Sequence, residues 1–252
     1  MTKPHPQASP IAREPILLLG PESRFHDLLA RELAGLPAEV LRADDFGNAG
    51  ACVGRGRRAP SIVLLPERQI RIDSFEEELA ALRIRTGAER IVPIAFGRAP
   101  GSERRADLRR AGIELALFGR FGRNTLRFQI NRASGASVSQ RPRGDRRAPK
   151  EWRTRTFSGG REKAVRCYSL SSGGGYFVTP RPWVVGSDIA LELPLGRRRL
   201  LLAGHILYTN VAGAGEERAL PSGMAIGFGP LPTQVRDAIR RDVNATHRGL
   251  EV

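Results

Sequence analysis

The stretch Arg166-Cys167-Tyr168-Ser169-Leu170-Ser171-Ser172-Gly173-Gly174-Gly175-Tyr176-Phe177 decides how the second half of this 252-residue chain folds. A strand-like approach runs into three glycines and leaves through two aromatics. Successive glycines remove every Cβ, so the backbone can take positive φ and a ligand or a second strand can come close. Ser169 and Ser171 supply short hydroxyls at the bend. Two readings stand at this point: a ligand-facing bend, or an ordinary glycine-rich hairpin or barrel corner.

Working outward, the surroundings are β in texture. Short apolar runs at 164–169, 176–178, 188–193, 200–208 and 223–228 are punctuated by Gly and Pro, which predicts a small barrel. After Pro230-Leu231-Pro232, a terminal helix is expected over 233–243, with Thr233 as its N-cap and Val235, Ile239 and Val243 on one face. That face should pack on the barrel.

Upstream the pattern changes to alternating strands and helices, the βαβ signature of a mostly parallel sheet. Strands are expected at 16–19, 61–65, 91–96 and 115–118, with a short edge strand at 40–43. Helices are expected at 25–33 (Ser23 as N-cap; Phe25, Leu28, Leu29 and Leu33 on one face), 75–85, 102–111 and 125–132, and a weak one at 48–55. The fold class is therefore two domains: an N-terminal doubly wound α/β sheet and a C-terminal all-β barrel with a terminal helix. The expected boundaries are a disordered tail at 1–13, an α/β domain at 14–133, an arginine-rich linker at 134–150, the barrel with its helix at 151–245, and a tail at 246–252.

Composition narrows the function. Hydrophobic residues make up 40% and charged residues 27%, and no apolar run reaches the roughly 18 residues of a membrane helix, so no membrane insertion is expected. The polar, proline-bearing N-terminus does not read as a secretory signal, and a cytoplasmic location is expected. Cys52 and Cys167 stand far apart without metal-ligand spacing. The four histidines form no recognisable triad or metal set, and Ser-x-Ser at the bend lacks a hydrolase elbow, so neither an enzyme nor a cofactor is expected. A net charge of +15 raises nucleic-acid binding, yet no recognition motif accompanies it. Arg132, Arg141, Arg143, Arg146, Arg147, Arg153 and Arg155 concentrate near the linker. They suit a small anionic ligand or a solvated linker equally well.

Two resemblances follow. The βα order over about 14–133 resembles the receiver domain of response regulators, but its chemical positions are degenerate: Gly20-Pro21-Glu22 keeps only Glu22 of the acidic cluster that holds Mg²⁺. Pro66 follows the third strand where the phosphorylated aspartate is expected, Gly97 takes the hydroxyl position, and Gly119 replaces the lysine. Aspartyl phosphorylation needs a nucleophilic carboxylate and a metal ion. The resemblance thus implies a pseudo-receiver suited to docking or dimerising, with a protein partner or a homodimer as the expected assembly.

The second resemblance covers about 141–245. An arginine-rich loop, Ser-x-Ser-x-x-Gly, Tyr-Phe, then Pro182-Trp183-Val184-Val185-Gly186-Ser187-Asp188 and Gly223-Met224-Ala225-Ile226-Gly227-Phe228, is similar to a PilZ domain. That family pairs Arg-x-x-x-Arg with Asp/Asn-x-Ser-x-x-Gly to bind cyclic di-GMP. The resemblance implies Arg143, Arg146, Arg147, Ser169, Ser171 and Gly174 as ligand residues, cyclic di-GMP as a regulatory ligand, and an output in motility, surface polysaccharide or development. Arginine's planar fork suits phosphate or the O6/N7 edge of guanine. Ser169 departs from the family's Asp or Asn, and an alternative register puts Lys150 in the second arginine slot. A cyclic di-GMP effector, a ligand-independent scaffold and a nucleic-acid binder remain the competing functions.

Overall fold

The structure is a computed structural model, and it describes residues 15–36, 38–53, 58–135, 145–196, 198–211 and 220–252. The first half builds a five-stranded parallel sheet from β1 (Ile16–Leu19), β2 (Val40–Ala43), β3 (Ile62–Pro66), β4 (Val92–Gly97) and β5 (Leu115–Phe118), in the order β2-β1-β3-β4-β5. These strands read as bare apolar runs because helices cover both faces of the sheet. The helices are α1 (Arg24–Ala34), α2 (Phe46–Cys52), α3 (Ile72–Thr86), α4 (Ser102–Arg110) and α5 (Arg123–Gly135). One core cluster holds Leu17, Val63, Ala95 and Ala116, and the other holds their strand neighbours Leu18, Leu64, Ile94 and Leu117.

Side chains set the helix boundaries. Ser23 caps α1, its oxygen accepting the His26 N–H, and Asp45 caps α2 by accepting the Asn48 N–H. Leu29 and Leu33 carry α1 into the core with Ala30, whereas Leu28 is exposed, so the buried stripe is narrower than the apolar residues suggest. α5 extends through Gly135, so residues expected at the start of a linker are helical.

The second half is a closed antiparallel barrel. β7 (Arg153–Ser158), β8 (Arg161–Ser171), β9 (Gly174–Val178), β10 (Asp188–Leu195), β11 (Arg198–Asn210) and β12 (Gly223–Phe228) follow the order β8-β7-β10-β11-β12-β9, and a β8–β9 pairing closes the ring. β6 (Ala148–Pro149) adds to the outer edge of β8. β7 carries a pattern that composition hides: Thr154 and Thr156 turn inward while Arg153 and Arg155 face solvent, so the strand reads as polar throughout. α6 (Thr233–His247) buries Ile239 and Val243 in the barrel core with Val235 packed beside them. Its N-cap is Pro232, not Thr233, which is the first helical residue.

Among the described residues, three contacts join the two halves: Asn124, at the start of α5, donates from Nδ2 to the Lys150 carbonyl and from its N–H to Glu151 Oε1, both at 3.3 Å, and two larger junctions follow. Phe128 of α5 packs on a cluster of Tyr168, Tyr176 and Ala225, and Asn131 Nδ2 donates to the Tyr168 hydroxyl at 3.1 Å. The second junction is the C-terminal segment expected to be a tail. It lies antiparallel to β5, with an Ala116 N–H to Leu250 carbonyl bond of 2.9 Å, Phe118 N–H to Gly249 carbonyl of 2.9 Å, and Val252 N–H to Glu114 carbonyl of 3.2 Å. Leu250 and Val252 are 4% and 2% exposed and belong to the two cores of the α/β half. Gln129 Nε2 donates to both Ala116 and Leu250 carbonyls, at 2.7 and 2.6 Å. The segment thus behaves as a sixth strand that covers an otherwise open sheet edge.

Leu250→Ala should therefore cost about 2–4 kcal/mol, as for a buried leucine elsewhere. Urea unfolding followed by circular dichroism checks this; a loss within a few tenths of a kcal/mol would show that the segment is not seated on β5.

Candidate ligand-binding site

The glycine bend is the β8–β9 hairpin, with Ser172-Gly173 as its loop. None of Gly173, Gly174 and Gly175 has positive φ, contrary to the expectation for this stretch. Neighbouring strands need the missing side chains instead: a Cβ on Gly174 would collide with the Ile226 carbonyl oxygen of β12, and one on Gly175 would press on the Phe177 ring and the Ser169 carbonyl. Gly174 therefore lets two strands approach, and its bare side is taken by β12 rather than left open to a purine. Ser171 Oγ donates to the Gly174 carbonyl at 3.2 Å, closing the hairpin, and Ser169 and Ser171 are both buried on β8.

The loop of arginines comes to the same hairpin. Ala148 pairs with Leu170 and Pro149 with Ser169; carried further, this register sets Arg147 level with Ser171 and Arg146 level with Ser172. Ser172 Oγ donates to Asp145 Oδ2 at 2.6 Å, a charge-assisted bond across 27 positions. Neither Asp145 nor Ser172 is marked by the sequence, because a bond between two loops has no periodicity to reveal it. Arg143 lies outside the described residues, as does Arg141.

Lys150 is the clearest departure from the alternative arginine register. Its side chain is 8% exposed, with Nζ 2.5 Å from Asp242 Oδ2, 2.8 Å from Thr246 Oγ1 and 4.8 Å from the centre of the Trp152 ring. It binds β6 to α6 and does not face the hairpin cleft. Trp152 accordingly packs against the barrel core.

Glu251 gathers three further groups: Arg132 of α5 at 2.8 Å, His247 Nδ1 at 3.2 Å and Arg146 at 3.5 Å. His247 Nε2 donates to the Arg147 carbonyl at 2.8 Å. Burial pushes the Glu251 carboxyl up, but the Arg132 hydrogen bond and the charges of Arg132, His247 and Arg146 outweigh it and hold the carboxyl below its usual range. Tyr168, one residue before Ser169, has its hydroxyl pushed up to about 12 by burial against α5. Arginine loop, hairpin, α6 and C-terminal segment thus form one connected set. Two adjoining cavities of about 160 and 340 Å³ lie against Asp145 and Ser172.

In the α/β half the pocket at the strand ends is filled. Glu22 is exposed in the loop after β1. His26 Nε2–H donates to the Leu19 carbonyl at 2.8 Å, its ring meets Phe96 edge-on at 5.4 Å, and a Cβ on Gly20 would strike both His26 and Pro66. Phe25 meets Phe96 in a tilted contact at 5.5 Å and Phe121 edge-on at 6.1 Å. Pro66 pairs with Phe96 and offers no carboxylate. Glu67, next in sequence, is bound by Arg104 Nε at 2.9 Å. Gly97 and Gly119 end β4 and follow β5, joined by a 2.8 Å backbone bond. Among the described residues no cluster of three metal-binding side chains occurs.

Strand order and barrel closure make this a two-domain protein: a receiver-like α/β sheet followed by a PilZ-like six-stranded barrel with a C-terminal helix. No family model and no curated protein matches the sequence. Among solved structures, the chain is similar to the PilZ domain of YcgR from Escherichia coli with cyclic di-GMP (16% identity, 43% of this chain and 93% of that one, TM-score 0.34). It is also similar to the receiver domain of a sensor histidine kinase from Pseudomonas aeruginosa (22%, 48% and 98%, TM-score 0.39). A third similarity is to an inhibitor of motility from Bacillus subtilis (14% identity, 42% of this chain, TM-score 0.34), of which the chain spans about half the length, 51%. Among the described residues no helix is long and apolar enough to cross a membrane.

Two outcomes are expected. Incubation with Mg²⁺ and acetyl phosphate should leave the intact mass unchanged; an 80-Da adduct, roughly one phosphoryl group, within 15–133 would contradict the filled pocket. Because the Glu251 carboxyl is held low in the folded chain, its contribution is present above the ordinary value of 4.5 and is lost as pH falls through its lowered value. The stability difference between wild type and Glu251→Gln, measured by urea unfolding from pH 7 to 3, should shrink below about pH 4.5; a difference independent of pH would contradict the pairing.

Proposed function

We propose that the chain is a non-catalytic signalling protein whose barrel takes cyclic di-GMP between the arginine loop and the β8–β9 hairpin, while the pseudo-receiver serves as its docking half. The observation that supports this reading is the Ser172–Asp145 hydrogen bond of 2.6 Å, which with the β6–β8 pairing runs residues 145–149, Arg146 and Arg147 among them, beside Ser169–Ser172. Arginine forks at 143, 146 and 147 suit phosphate and the guanine O6/N7 edge. Ser171 and the Ser169 hydroxyl lie on the facing strand. Motility, surface polysaccharide or development is the output that the family resemblance suggests.

A ligand-independent scaffold is the second reading, favoured by Ser169. A buried hydroxyl cannot offer the paired contact of an amide or carboxylate, and losing one such pair is worth about 1–3 kcal/mol. Nucleic-acid binding is disfavoured by how the cations are spent: Arg104, Arg105, Arg132, Arg155 and Arg199 bind carbonyls or carboxylates of the chain itself.

Calorimetry with cyclic di-GMP tests the reading. Wild type should bind in the micromolar range or better, and Arg143→Ala/Arg147→Ala should abolish the heat. Ser169→Asn should tighten binding by roughly 5- to 150-fold, the equivalent of one restored pair. Absence of heat from the wild type at high micromolar ligand would favour the scaffold.

A further inference from the structure

The cleft beside the hairpin has a second basic wall, formed by residues outside both sequence motifs. Arg236 and Arg240, one turn apart on α6, line the 160 Å³ cavity together with Asp145, Ser172 and Gly173. The adjoining 340 Å³ cavity shares Asp145, Ser172 and Arg240 and adds Arg146. Three guanidinium groups therefore border a continuous cleft whose single carboxylate, Asp145, already accepts the Ser172 hydroxyl.

The charges on this wall are poorly compensated within the chain. Arg240 pairs with Asp237 at 3.4 Å in an exposed i,i+3 contact, and such surface pairs contribute little. Arg236 stands in the first turn of α6, which contains no acidic residue. The helix macrodipole is positive at that end, so a cation there is disfavoured and an anion is welcome. Nothing about the packing of α6 requires either arginine, since its barrel contacts run through Val235, Ile239 and Val243 on another face. A cleft of this size with convergent cations and one fixed acceptor fits a compact phosphodiester.

We infer that Arg236 and Arg240 bind the phosphate groups of the ligand, across the cleft from Arg146 and the Asp145–Ser172 pair. The inference rests on the cyclic di-GMP reading. It makes α6 part of the binding site as well as a plug of the barrel. Since α6 leads directly into the segment on β5, the ligand then touches the same helix that reaches the pseudo-receiver.

The test is calorimetry of the full chain with cyclic di-GMP, comparing wild type, Arg236→Ala/Arg240→Ala, and a charge-matched control, Arg161→Ala/Arg198→Ala. The α6 double variant should bind about tenfold to a hundredfold more weakly, as expected for lost charge-assisted hydrogen bonds, and the control should match wild type. Arg240→Lys, which keeps the charge and removes the fork, should lose less than the double variant; with unchanged melting temperatures it also guards against misfolding. Equal affinities in wild type and the α6 double variant, with binding still lost in Arg143→Ala/Arg147→Ala, would overturn the α6 assignment and leave the ligand reading standing. An equal loss in the charge-matched control would overturn it too, by reducing the effect to net charge. Absence of binding by wild type would overturn both.

Discussion

The buried contact of Lys150 with Asp242 and Thr246 is the constraint on which the rest of the molecule depends. It fixes the strand that follows the arginine loop to the helix that ends the barrel. Removing Asp242 would leave the buried Lys150 ammonium with Thr246 Oγ1 as its hydrogen-bond acceptor. With β6 held there, Pro149 meets Ser169, Ala148 meets Leu170, and Asp145 reaches Ser172. With α6 held there, the chain leaves His247 in position to run along β5. Together with the apolar face of α6, this junction helps hold loop, hairpin, helix and sheet edge in place.

That junction also explains why the two halves are not independent beads. Glu251 joins Arg132 of the α/β half to Arg146 of the loop before the barrel, and Tyr168 joins β8 to Asn131 of α5. Arg146 both borders the cleft and pairs with Glu251, so it links the cleft to the C-terminal segment. At the strand ends of the α/β half, the His26, Phe25, Phe96 and Phe121 rings lie against one another.

Much of the architecture is legible in the sequence because burial dictates it. Bare runs such as Ile62–Leu65 are strands covered on both faces, and the spacing of Val235, Ile239 and Val243 is a helix laid on a barrel. What escapes is set by contacts between distant residues. β7 is hidden by outward arginines, β6 is too short to show a period, and Leu250 and Val252 look like the end of a tail until β5 supplies their partners. In the site, Ser169, Ser171 and the arginine loop follow from the motif. Asp145, Ser172 and the α6 arginines do not, since only the fold brings them to the cleft. Of the two uses the sequence suggests for the triple glycine, close strand approach is the one the fold employs, and positive φ is not.

Hydrogen–deuterium exchange of the full chain with and without saturating cyclic di-GMP tests most directly whether the loop and hairpin act as one ligand edge. The account requires slowed exchange in both 145–149 and 169–175, together and to a comparable degree, with the strands of the α/β sheet unchanged. Protection confined to one of the two segments, or appearing elsewhere on the barrel while both stay unprotected, would contradict it.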